Sequence, residues 1–313
     1  MPASAAGARL LPLGVLLVLF LWSRSAPAQL QNLGHKALGS EGVNAGVQPP
    51  PGLYVANSLL AYAANSVNDR NGNRVPGTIL ISVIAERAGL GACLFLEPIA
   101  TYVGFALGVP LDGITAELEA EDVRASIDDF GLSDVYVQPV RLGWRLPHLD
   151  VVSGFGVYIP TGRFELGGFT NLGSGQWSRE LTLGGTVYFD DDRVWRLSVL
   201  SSFVSNLPKL GVDIRRGNSV QVQGGASATM ASVVRVGVAG YALWQVSEDS
   251  GANLPPIVAA GSDRVFGAGP EVDFVLPAIR STVTLRYERD IHVVSGPLGQ
   301  VFAFGVIFDA WTP

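Results

Sequence analysis

Downstream of residue 52 the chain is written in short runs in which apolar and polar positions take turns. In Arg179–Phe189, Leu181, Leu183, Val187 and Phe189 fall on one side of an extended chain, and Glu180, Thr182, Thr186 and Tyr188 on the other. Val220 and Val222 alternate with Gln221 and Gln223, and Phe266, Ala268, Val272 and Phe274 with Glu271 and Asp273. Val283, Leu285 and Tyr287 alternate with Thr284, Arg286 and Glu288, and in the last run Phe302, Phe304, Val306 and Phe308 oppose Ala303 and Gly305. A period of two marks strands whose faces meet different surroundings. The pattern predicts about twelve strands, near 52–66, 78–89, 93–108, 134–146, 150–160, 178–189, 194–205, 219–230, 233–246, 263–275, 280–292 and 300–310. Each has the length of a tilted strand that crosses a membrane.

The connections alternate in length. Pro147–Leu149, Asp190–Arg193, Ala231–Ser232 and Leu276–Ile279 are short, whereas Val67–Gly77, Val109–Ser133, Thr161–Trp177, Asn206–Asn218 and Ser247–Ser262 are long. Outer-membrane barrels have tight periplasmic turns and longer outer loops. The expected fold is therefore all-β, an antiparallel transmembrane β-barrel. The first long loop, Asn65–Gly77, carries Asp69, Asn71 and Asn73 at alternate positions, as calcium loops do. The glycine and the bidentate glutamate such a loop needs at its sixth and twelfth positions are Arg74 and Leu80 here. Asn, Asp, Gly and Pro in this density read as a turn.

Composition sharpens the picture. The 313 residues have a mean hydropathy of +0.32 and only 15% charged side chains, against about a quarter in soluble proteins. Yet beyond the N-terminus no run approaches the about 20 apolar residues of a spanning helix. Arg9, the apolar run Leu10–Trp22 and a small-residue site ending in Ala28 read as a cleaved signal peptide over 1–28. A periplasmic linker is expected over 29–51, and the barrel over 52–313. Cys93 is the only cysteine and can form no intrachain disulfide. The net charge of −6 argues against nucleic acid as a partner.

Candidate chemistry is sparse. Tyr54, Trp144, Trp177, Phe189, Trp195, Trp244 and Trp311 fall at or beside strand ends and are expected to form aromatic girdles at the two membrane interfaces. Tyr54, Trp144, Phe189, Trp195 and Trp311 would mark the periplasmic side. By alternation Arg141, Arg145, Gln221, Gln223, Glu271, Asp273, Arg286 and Glu288 face the lumen. A hairpin centred between Ala278 and Ile279 sets Glu271 opposite Arg286, a pair that a wet lumen would hold to at most about 1 kcal/mol. His35, His148 and His292 have no metal-ligand spacing, and no cofactor or metal is expected. Asp290, His292 and Ser295 are close in sequence, but a triad is defined by geometry, and no enzyme is expected. The acidic stretch Glu117–Asp134 reads as a solvated outer loop; bridging to lipopolysaccharide through divalent ions or folding inward as a constriction are alternatives.

An ordered set of motifs resembles one family. Pro50-Pro-Gly-Leu-Tyr54, Asn68-Asp-Arg-Asn-Gly-Asn-Arg-Val-Pro76, Gly131-Leu-Ser-Asp-Val-Tyr136, Tyr158-Ile-Pro-Thr-Gly162, Asn171-Leu-Gly173 with Trp177, and Arg264-Val-Phe-Gly-Ala-Gly-Pro270 are similar to the phenol-degradation meta-pathway (MetA-type) outer-membrane proteins. The resemblance spans roughly 41–308 and implies an outer-membrane barrel that transports a small hydrophobic, aromatic compound in a Gram-negative bacterium. It carries no substrate site over. Small and polar inward residues favour a passive channel; the alternative is a filled structural or adhesive barrel acting through its outer loops. Outer-membrane lipid, lipopolysaccharide and the barrel-assembly machinery are the partners such a fold implies.

Overall fold

The computed structural model describes residues 38–75, 78–120, 123–165, 171–254 and 263–313. The expected signal peptide and His35 lie outside these residues. The strands are β1 Gly52–Asn68, β2 Thr78–Leu96, β3 Thr101–Ala120, β4 Val123–Leu132, β5 Val135–Arg145, β6 Leu149–Ile159 and β7 Ser178–Tyr188. They continue as β8 Trp195–Asn206, β9 Ser219–Met230, β10 Val234–Gln245, β11 Arg264–Leu276, β12 Ser281–Val294 and β13 Gly296–Trp311.

Lipid offers no hydrogen-bond partner to a backbone, so a sheet that crosses it must have no free edge. That condition is met by closure. β1 pairs with β2 on one side and with β13 on the other, and β1, β2, β3 and β5–β13 form a closed antiparallel ring of twelve. The alternation read from the sequence is the inside and outside of this ring. Leu181, Leu183 and Val187 are exposed on the outer face of β7, while Glu180 and Thr186 on the opposite face are fully buried inside. Charge on the outer face would cost about 2–4 kcal/mol for Arg or Lys at mid-membrane and less for Asp or Glu. That penalty fixes which face turns inward.

Two stretches differ from expectation. The break near residues 90–92 is displaced: β2 runs on to Leu96, and the turn is a 3-10 segment Glu97–Ile99 with Ala100 left-handed at φ 47°. Gly89 and Gly91 resemble turn residues but sit in strand, whereas Pro98 and Ala100 make the turn. The same chemistry recurs at Pro277–Ile279 with Arg280. The second difference is the long loop expected over 109–133, which is a β-hairpin. β3 pairs with β5 only through Gly108; its far half, Leu111–Ala120, pairs with β4. The acidic stretch is thereby mostly strand. Asp129 pairs with Arg163, and buried Asp134 accepts from Gly162 N, Ser174 N and Ser174 Oγ, tying the outer loop to the rim.

The first outer loop is a turn. Asp69 Oδ1 accepts the backbone N–H groups of Asn71 and Asn73, both at 2.8 Å, and Gly72 takes φ 80°. The β12–β13 connection at the same end is a single residue, left-handed Ser295. At the other end the β11–β12 hairpin has the expected register, with Glu271 opposite Arg286.

Closure makes a direct expectation for the seam between β1 and β13. Leu60 and Ala303 are opposed and both face inward. With Cys93 replaced by serine, a Leu60→Cys/Ala303→Cys protein should form an intramolecular disulfide on oxidation, read by mass spectrometry. A Leu60→Cys/Gln300→Cys control, out of register and on opposite faces, should not.

Candidate functional site

The inside of the ring is occupied. Residues 38–48, within the segment read as a periplasmic linker, lie in the lumen and make one turn of 3-10 helix at Gly42–Asn44. Leu38, Val43, Ala45 and Gln48 are buried, Val43 and Ala45 at 1% exposure. The chain enters at the mouth where β1 begins, passes Gln48 and Gly46, and reaches Leu38 against Tyr241 and Leu243.

A segment without its own sheet must find partners for its backbone, and the wall supplies them. Val43 N donates to Glu271 Oε2 at 3.1 Å, Glu41 N to Gln223 Oε1 at 3.1 Å, and Gln48 N to Asp150 Oδ2 at 3.2 Å. From the opposite polarity, Arg141 Nη2 donates to Val47 O at 3.0 Å and Arg145 Nη2 to Gln48 O at 2.6 Å. Asn44 is a hub: its Nδ2 donates to Asp273 Oδ2, and its Oδ1 accepts from Arg196 Nη2 at 2.6 Å and Arg235 Nη1 at 3.1 Å. Hydrogen bonds to charged groups contribute about 1.5–3 kcal/mol each when both partners are otherwise dry.

Close approach completes the seat. A Cβ on Gly46 would stand 2.1 Å from Gly185 O, and one on Gly42, which has φ 50°, would stand 1.9 Å from Glu271 Oε2. On the wall side, a Cβ on Gly237 would meet Val43 Cγ1 at 2.9 Å. Ala45 packs on Val152 and Leu200.

The expected lumen-facing residues are therefore brought together at the plug, either on it or next to it. Glu271, Asp273, Gln223, Arg141 and Arg145 bond to it directly. Gln221 is buried one inward position along β9, and Arg286 bridges Glu271 at 3.5 Å and Glu288 at 3.1 Å. The wet lumen assumed for this pair is absent: the Arg286 and Glu271 side chains are only 3% and 1% exposed. Sequence reasoning missed Asn44, Asp150, Arg196 and Arg235. The last three are charges in alternating strands, and the rule that found Glu271 would have found them.

Above the plug two tyrosines converge on one carboxylate. Tyr241 and Tyr62 donate to the two oxygens of Asp290 at 2.6 and 3.2 Å, and Gly299 N adds a third bond at 2.8 Å. Each ring crosses a glycine of the intervening strand: a Cβ would lie 2.4 Å from the Tyr241 ring at Gly267 and 2.7 Å from the Tyr62 ring at Gly299. Asp290 is thus committed to the wall and does not orient His292, which lies against the Phe266 ring. His148 pairs with Asp191 at 3.3 Å in an exposed turn. No cluster of metal-ligating side chains occurs among the described residues.

One part of the inner wall is different. Leu60, Tyr62, Ala64, Ile81, Ala85, Val301 and Ala303 form an apolar strip across β13, β1 and β2, with Val67 and Val83 packed against it. The described hydrogen bonds of the plug go to the polar wall, and reach β2 only at Cys93, through Gln48.

The aromatic residues mostly face outward. Trp144, Trp177, Phe189, Trp195 and Trp311 are exposed, and Trp244, half-buried against Phe266, shares the outward face of Val236 and Val238. Tyr54 is a correction. It sits on the inward face of β1 with Tyr62 and Ala64, because its hydroxyl donates to Pro50 O at 2.5 Å where the chain turns into the lumen. Outside the wall, burial and the nearby Arg216 lower the Lys209 amine to about 8 while it donates to Ser174 O.

A closed twelve-stranded ring with an apolar outer face and a polar, plugged interior defines an outer-membrane β-barrel. The chain belongs to the family described as "Putative MetA-pathway of phenol degradation", which matches residues 64–304. No curated protein matches it in sequence. Among solved structures it is similar to the COG4313 outer membrane channel from Pseudomonas putida F1, at 12% identity over 85% of this chain and 97% of that one, with a TM-score of 0.71. It is also similar to the CymD monoaromatic hydrocarbon channel, at 11% identity over 84% and 89% of the two chains, with a TM-score of 0.43.

Two substitutions test the plug's seat. Gly46→Val leaves the wall unchanged but overpacks the plug against Gly185. At about 1–3 kcal/mol this shifts the seated-to-unseated ratio by roughly 5–150-fold, so single-channel conductance should rise while the barrel stays folded. Arg286→Met strands two buried carboxylates and should destabilise the folded barrel by about 3–5 kcal/mol, measured by urea unfolding in detergent; the double variant with Glu271→Met should recover part of that loss.

Proposed function

We propose that this barrel is a passive, non-enzymatic channel for small hydrophobic compounds, monoaromatic ones included, with the N-terminal plug closing it to hydrophilic solutes. The observation that carries the reading is the apolar strip on β13, β1 and β2. Water-filled barrels are lined by polar groups, and an aqueous pore has no use for an inner wall of Leu60, Ile81, Val83 and Val301. A hydrophobic solute does, because transfer from water to such a wall is favourable by about 25 cal/mol per Å² of apolar surface covered. The family's association with phenol degradation agrees with a ligand of this kind.

The filled-barrel alternative draws on the plug, and one experiment separates the two. Cells whose outer membrane carries the protein should take up radiolabelled toluene faster than cells without it. Ile81→Asp, which sets a charge in the strip away from the plug's bonds, should abolish the gain with the barrel still folded. Equal uptake with and without the protein would establish the filled barrel instead.

A further inference from the structure

The outer wall carries a groove behind the apolar strip, with Ala64 and Ile81 of that strip among its lining. It has a volume of about 580 Å³ and crosses the outward face of β12, β13, β1, β2 and β3 near their long-loop ends. Paired registers set its lining in two rows. Arg289, Gln300, Ala63, Ser82 and Thr115 are successive neighbours around the ring, and Asn65, Leu80 and Glu117 form the next row outward. The rows on the short-turn side hold Tyr287, Phe302, Ala61 and Ile84, then Leu285, Phe304 and Leu59, interrupted by Glu86, which Asn57 caps with a hydrogen bond. The groove thus lies where the apolar band gives way to polar side chains.

Its chemistry is unequal from end to end. Arg289 is exposed and has no hydrogen bond or ion pair among the described residues, so a guanidinium stands free at the β12 end. Beside it Gln300 Oε1 accepts from the Tyr287 hydroxyl at 2.9 Å, leaving the amide nitrogen as a donor. The floor at Ala63 is small, and Ser82, Thr115 and Asn65 present hydroxyl and amide groups along it. Glu117 closes the far end, four strands away, where it would repel an anion. The groove therefore offers an anion site at one end, hydrogen-bonding groups along its length, and an apolar wall below.

We propose that this groove seats the headgroup of a lipopolysaccharide molecule of the outer leaflet, a phosphorylated sugar carrying several acyl chains. Arg289 takes a phosphate in the two-pronged geometry that guanidinium favours. Gln300, Ser82, Thr115 and Asn65 meet the sugar hydroxyls, and the acyl chains lie over Ile84, Phe302, Phe304 and Leu59. The glycolipid fits better than a glycerophospholipid because the polar lining is several residues wide, whereas one phosphate would engage Arg289 alone.

The test uses the full chain folded in detergent, with purified lipopolysaccharide or phosphatidylglycerol added. The readout is the temperature at which the folded band converts to the unfolded one on gels. Lipopolysaccharide should raise that temperature for the native protein, and phosphatidylglycerol should raise it less. Arg289→Gln and Ser82→Leu should each lose most of the lipopolysaccharide shift while keeping the same midpoint without lipid, which shows that both variants fold. Glu117→Gln should keep the shift. If Arg289→Gln retains the full shift, or phosphatidylglycerol matches lipopolysaccharide, the headgroup site is overturned.

Discussion

Every feature of this molecule follows from one restriction: a backbone N–H or C=O that faces hydrocarbon has no partner there. Ring closure between β1 and β13 answers it for the strands. It also creates the interior, because strands that alternate must turn their polar residues somewhere, and the only place not in contact with lipid is inside. The plug inherits the same requirement. Lacking a sheet, it satisfies its backbone with side chains of the wall, so the carboxylates and guanidinium groups that cannot face lipid become the sockets for Val43, Val47 and Gln48, and the Gln223 amide the socket for Glu41.

How much of this could be read beforehand depended on whether the information was local. The faces of β7, β9, β11, β12 and β13 were legible because charge on the lipid side is costly, and the Glu271–Arg286 register was legible because a tight hairpin fixes it. The family could also be named from its motifs. The plug was not legible. Residues 38–48 have no period, and what holds them in place is distributed over β5, β6, β8, β9, β10 and β11. The β3–β4 hairpin was hidden for a different reason: Ile114, Ala116, Leu118 and Ala120 do alternate with Thr115, Glu117 and Glu119, but the density of acidic residues reads as a solvated loop and outweighs that period.

Glycine shows why composition misled. Small inward residues were read as room for a passing solute. Gly225 and Gly237 instead let the plug approach the wall, and Gly267, Gly299 and Gly156 let tyrosine rings lie across a neighbouring strand. A missing side chain in a strand is as much a socket as a void, and only the partner that fills it tells the two apart. The apolar strip on β13, β1 and β2 is the part of the inner wall where hydrophobic side chains occupy inward positions without such a partner from the plug.

The plug runs without a break through Pro49-Pro50-Pro51 into β1. Its binding is consequently an intramolecular equilibrium, in which a short tether supplies an effective concentration on the order of mM. A proline-rich tether is stiff and holds the segment near its seat. A contact surface of about micromolar affinity then keeps the lumen occupied in all but roughly one barrel in a thousand, and the fraction of closed barrels does not change with how many copies the membrane holds. Opening is reversible by construction: a displaced segment has nowhere to diffuse, and returns to the same sockets.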